Sequence, residues 1–137
     1  MKRLSGYMML LLVILVTNCS KKSDPAPANL TGSWKETSAV FSSCDNPSDN
    51  RTETCSTNCP VWEFKSDGTL AIQGNNAGTY VVSGNNVTLT VLGLPNTTLP
   101  FTVSGSTLTI SGFSDSQGSN GTGGVDMCSL ALVFTKQ

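Results

Sequence analysis

Val61-Trp62-Glu63-Phe64-Lys65-Ser66-Asp67-Gly68-Thr69-Leu70-Ala71-Ile72 reads as two short strands folded back on a tight turn. Apolar side chains fall at every second position, Trp62 and Phe64 before the turn, Leu70 and Ile72 after it. A period of two puts them on one face of a half-buried strand. Ser66-Asp67-Gly68 supplies residues that tolerate the backbone of a tight turn.

The same pattern continues on both sides. Towards the C-terminus come Tyr80 and Val82, then Val87, Leu89 and Val91, then Leu99, Phe101 and Val103, then Leu108 and Ile110, and last Leu130, Leu132 and Phe134. Towards the N-terminus, a first strand is expected within residues 30–39, around Trp34. Eight short alternating strands with scarce helix formers indicate an all-β barrel or sandwich. The connections choose between them. Ser66-Asp67-Gly68, Ser83-Gly84-Asn85-Asn86 and Ser104-Gly105-Ser106 are tight, whereas residues 40–60, 74–77, 93–97 and 112–127 make longer links. Numbered up and down, all the tight turns fall at one end and all the longer links at the other. That sorting predicts an eight-stranded antiparallel up-and-down barrel, closed at one end and open at the other. An immunoglobulin-type sandwich is rejected, because it wants its Trp well separated from its cysteines, and Trp62 follows Cys59 by three positions.

The first residues carry a different message. Lys2 and Arg3 precede ten apolar or aromatic residues, Tyr7 to Val16. That run is about half of what a membrane-crossing helix needs, and with its charged start it is the pattern of a secretory signal peptide. Val16-Thr17-Asn18-Cys19-Ser20 resembles the bacterial lipobox, with Asn18 where Gly, Ala or Ser is usual. The resemblance implies a lipid-modified (palmitate-bearing) Cys19 as the first mature residue, and Ser20 after it fits the outer membrane. The expected organisation is a signal peptide over 1–18, a polar, Pro-containing tether over 19–29, and one domain over 30–137. The tether would reach about 35 Å if extended.

With Lys2 and Arg3 set aside, six basic residues face nine acidic ones, a balance of about −3. This excludes the basic face that nucleic-acid binding requires. With Cys19 lipidated, Cys44, Cys55, Cys59 and Cys128 remain, an even number in an exported chain, which reads as two disulfides rather than a zinc site. Sequence leaves the three pairings open. The strand order places all four at the open rim, where Cys44 or Cys59 is a candidate partner for Cys128.

Gly32-Ser33-Trp34 resembles the Gly-x-Trp motif of lipocalins. The order of Phe64-Lys65-Ser66-Asp67-Gly68-Thr69-Leu70 and Gly78-Thr79-Tyr80-Val81-Val82-Ser83-Gly84-Asn85-Asn86-Val87 resembles the lipocalin-like domain of small bacterial surface lipoproteins. The resemblance covers about residues 30–136. It implies that Gly32 and Trp34 mark the closed end and that Lys136 covers the Trp. This barrel is shorter than that of a typical ligand-carrying lipocalin, and the sequence has no long C-terminal helix.

No enzyme is expected. The chain has no histidine, so a Ser-His-Asp arrangement is excluded, and no two acidic residues fall in phase on an inward face. Asp45-Asn46-Pro47-Ser48-Asp49-Asn50 offers oxygen ligands but lacks the acidic ladder of an EF-hand, and is read as a solvated turn. The Gly-rich stretch over 118–124 lacks the strand, helix and Lys of a phosphate loop. No metal and no cofactor are assigned. Trp62, Phe64, Tyr80, Phe101 and Phe134 either fill the barrel or line a pocket for one small apolar ligand. Two functions stay open: a lipid-anchored binding module for such a ligand or a protein partner, and a surface lipoprotein whose filled barrel displays its loops.

Overall fold

The structure is a computed structural model that describes residues 29–119 and 125–137. The expected signal peptide, Cys19 and nearly all of the expected tether lie outside the described residues. Among the described residues, nine strands form one antiparallel sheet: β1 (Gly32–Ser42), β2 (Arg51–Thr54), β3 (Val61–Phe64), β4 (Thr69–Ile72), β5 (Asn75–Ser83), β6 (Asn86–Val91), β7 (Thr97–Ser104), β8 (Thr107–Ser119) and β9 (Val125–Lys136). From β3 to β9 each strand pairs with the next in sequence, and β1 pairs with both β3 and β9. The sheet therefore closes into an eight-stranded up-and-down barrel, with β2 as an additional strand.

The Val61–Ile72 segment behaves as its alternation dictates. Trp62 lies opposite Ile72 and Phe64 opposite Leu70, and residues directly opposite share a face. The turn between them is held by Asp67, whose carboxylate accepts the Thr69 N–H at 2.8 Å. That bond keeps the Asp67 carboxyl below its ordinary pKa range. The next link, expected as a longer loop over 74–77, is mostly strand with a register shift opposite Leu70 and Ala71. Gly78 makes this possible: a Cβ there would sit 2.0 Å from the Thr90 carbonyl oxygen.

Inward residues of all eight barrel strands meet in one core. Trp34, Phe64, Leu70, Val87, Leu108, Ile110 and Phe134 are fully buried, with Leu30, Leu99 and Phe101 nearly so. At the closed end the Trp34 indole donates Nε1–H to the Leu30 carbonyl at 2.8 Å. Lys136 places its ammonium 5.3 Å from the centre of that ring, and its Cε would be 3.3 Å from a Cβ on Gly32. A side chain at residue 32 would crowd the lysine against the indole.

The other end departs from the expected long loops. Of the expected loop 112–127, the described residues 112–119 and 125–127 are strand, because β8 and β9 run on together past the barrel as far as Ser119 and Val125. The pairing absorbs one extra residue at Ser111-Gly112, where Gly112 takes a φ of +87°. Within the expected loop 40–60 lie a single 3-10 turn, Pro47–Asp49, and strand β2. β1 also continues past the barrel, and a register shift between Glu36 and Ser38 brings Ala39 and Phe41 opposite Leu132 and Leu130. One edge of β1 is thus shared: its first half pairs with β3 and its second half with β2. The outcome is a flap, β2-β1-β9-β8, standing beyond the rim. Its inner face holds a second, small cluster of Phe41, Cys44 and Cys128 against Ala39 and Leu130.

Candidate functional site at the open rim

Above the packed half of the barrel the core stops, and an apolar cavity of about 290 Å³ opens. Leu99 and Leu89 lie at its base, Trp62, Ile72 and Val91 form walls, and Phe113 enters from β8. Leu94 and Pro95, on the link between β6 and β7, stand at the mouth. Leu92 and Leu94 are 80% and 66% exposed. Apolar side chains left uncovered beside an apolar cavity are characteristic of a ligand entrance.

The five expected pocket aromatics are divided by the structure. Trp62 lines the cavity. Phe64 and Phe134 are fully buried and Phe101 nearly so, all within the packed core. Trp62 stacks obliquely against both Phe64 and Phe134, with ring centres 6.2 and 5.3 Å apart. Tyr80 meets Phe64 edge-on at 5.0 Å, and its hydroxyl donates to the Lys65 carbonyl at 2.7 Å. It lines a separate, wide groove of about 360 Å³ at the closed end, together with Leu30, Ser66 and Val82. Aromatics in phase with the strand period are inward, but phase does not say how far along the barrel axis the packing ends. Phe113 was hidden inside an expected loop. Its signal was the resumption of alternation once Ser111-Gly112 is taken as a bulge.

All four cysteines beyond Cys19 are paired. Cys44 bonds Cys128, with Cα atoms 4.0 Å apart, joining the end of β1 to β9 in the flap. Cys55 bonds Cys59, with Cα atoms 5.6 Å apart. This second loop crosses the seam where β1 changes partners, and Cys55 N–H donates to the Thr37 carbonyl while Glu36 N–H donates to the Pro60 carbonyl, each at 2.8 Å.

Two acidic features lie near the rim. Glu36 is directly opposite the inward Phe134, and partial burial raises its pKa. Asp126 is fully buried at the start of β9, in phase with Cys128, Leu130, Leu132 and Phe134. The sequence hides it inside an expected loop over 112–127, although the period of two reaches back to it. Asp126 Oδ1 accepts from Asn46 N–H at 2.9 Å, while Oδ2 has no hydrogen-bond partner. The Asp49 pKa is raised, chiefly by a side-chain hydrogen bond with Asp126 that favours its protonated form. Lys35 and Lys65 point to solvent, so neither brings a base to these groups. Among the described residues, no helix is long and apolar enough to cross a membrane. No family model, curated protein or solved structure matches this chain.

Proposed function

We propose that this chain is a lipocalin-like bacterial lipoprotein, anchored to the outer membrane through lipid on Cys19, that binds a small apolar ligand at the open rim without catalysis. The observation that carries the ligand is the cavity of about 290 Å³ bounded by Trp62, Ile72, Leu89, Val91 and Phe113. Its apolar walls favour a molecule transferred from water by the hydrophobic effect, at roughly 25 cal/mol per Å² of apolar surface covered. The filled half below it restricts the ligand to a small one. The anchor is supported by the signal-peptide pattern and the Val16-Thr17-Asn18-Cys19 sequence. With the chain entering β1 at the closed end, the cavity would face away from the membrane.

The filled lower barrel also favours the second reading, a surface lipoprotein that meets a protein partner through its flap and takes no small molecule. Mass spectrometry of small molecules co-extracted with the native protein separates the two. The binding reading expects a stoichiometric apolar compound, lost in Val91→Asp, a variant that charges the cavity wall. An empty native protein overturns it. Cys19→Ala is expected to abolish acylation and to release the protein from membranes. A wild-type protein without an acyl chain removes the anchor from this reading.

A further inference from the structure

The groove of about 360 Å³ at the closed end shares no residue with the open-rim cavity and takes no part in ligand binding there. Its walls are held in place. The half-buried Tyr80 ring is fixed on two sides, edge-on against Phe64 at 5.0 Å and through its hydroxyl to the Lys65 carbonyl at 2.7 Å. Leu30 is buried, and its carbonyl takes the Trp34 indole N–H. Val82 adds a second aliphatic wall, and Ser66 and Gly68 bound the groove from the β3–β4 turn. At Gly68, whose φ is +84°, no side chain narrows it. A fixed aromatic ring beside aliphatic groups is the kind of surface on which proline-rich segments dock.

The chain itself brings such a segment to this place. Asn29, the first described residue, lines the groove, so the Cα of the residue before it lies about 3.8 Å from that of Asn29. The residues leading up to it are Asp24-Pro25-Ala26-Pro27-Ala28. Each proline holds its own φ near −65° and biases the residue before it towards an extended backbone. A polyproline II segment is thus favoured before any contact forms, and docking it costs little entropy. The prolines also carry no N–H that would need a partner against an apolar wall. We propose that residues 25–28 of the tether dock in the closed-end groove, with a proline ring against Tyr80, and so fix the angle at which the barrel leaves its anchor. At about 3.1 Å per residue, the docked stretch spans about 12 Å. The consequence for the membrane rests on the lipid-bearing Cys19 proposed above. Only residues 19–24 then remain as slack, about 20 Å when extended in place of about 35 Å, and the open rim is held facing outward instead of swinging on a free linker.

The test uses the chain from residue 19 onward carrying Cys19→Ala, which keeps tether and barrel and removes the lipid, so that a failed docking and a failed anchor are told apart. Nuclear magnetic resonance provides the readout. Backbone order parameters at Ala26 and Ala28 are expected near the rigid value of about 0.85, against less than about 0.6 for a free chain. Nuclear Overhauser contacts are expected between Pro25 or Pro27 and the Tyr80 ring. Pro25→Gly with Pro27→Gly leaves the barrel untouched and should drop both alanines below about 0.6. Tyr80→Leu should do the same, and the tether variant keeps the test decisive if Tyr80→Leu fails to fold. Four results overturn the proposal: order parameters below about 0.6 in the unsubstituted tether; ordered alanines whose contacts lie elsewhere on the barrel; a double-glycine tether as rigid as the parent; or contacts found only between labelled and unlabelled copies, which would give the groove to the tether of a second copy.

Discussion

The two ends of this barrel are held together by different means. At the closed end, Trp34, Phe64, Leu70, Leu108 and Phe134 are fully buried in one continuous core, and polar contacts such as the Trp34–Leu30 hydrogen bond only complete it. Beyond the rim, the flap has a core of Phe41, Cys44 and Cys128 with two flanking residues. There the work is done by a disulfide and by main-chain and carboxylate hydrogen bonds to the loop that follows β1. The contrast shows what a small barrel can spare: where the core fills the interior, packing suffices, and where strands run past it, covalent and polar ties replace the missing apolar area.

The largest break in this contrast is expected at Trp34. Trp34→Ala removes the largest fully buried side chain and should cost about 3–5 kcal/mol, read as a lower midpoint in urea. A midpoint close to wild type would mean that the closed end is not what holds the barrel. Opening the flap comes next. Cys44→Ala with Cys128→Ala releases a link between residues 84 positions apart, with an expected loss of roughly 2–4 kcal/mol. Hydrogen exchange should then rise in the amides of β8 and β9 beyond Phe113 more than in β5 and β6. Uniform acceleration would show that flap and barrel unfold as one unit. Removing Cys55–Cys59, whose separation is 4, should cost less, about 2 kcal/mol by the same loop-entropy argument.

Lys136→Met keeps much of the stem that covers Trp34 and removes the charge 5.3 Å from its ring. The expected loss is about 0.5–1 kcal/mol, with the cavity unaffected. The smallest effect is expected at Glu36, on the seam between the two regions. Burial raises its folded pKa, so its contribution is most favourable below the unfolded value and is lost as pH rises through the folded one. Glu36→Gln should therefore raise Tm slightly at pH 7 and leave it unchanged near pH 3. A loss at pH 7 would indicate that the carboxylate is favourably paired.

The sequence alone determined the barrel. Alternation at Trp62/Phe64, Leu70/Ile72, Val87/Leu89 and Leu108/Ile110, with Gly-bearing turns sorted to one end, admits few other arrangements, because a strand's period of two assigns each side chain to a face. The even number of cysteines beyond Cys19 was likewise sufficient to expect two disulfides. Only the tertiary structure decided which cysteines pair, because all four were expected at the same rim and the answer depended on β1 sharing one edge between β2 and β3. It also decided where filling ends and the cavity begins, since phase orients Phe101 and Trp62 alike but their height along the barrel axis comes from closure and register. The meeting of Asp126 with the Asn46 N–H depended on register too. Polar runs such as Ser114 to Ser119 carry no apolar alternation, and they become strand only because a partner strand, pinned by Cys128, lies alongside to take their hydrogen bonds.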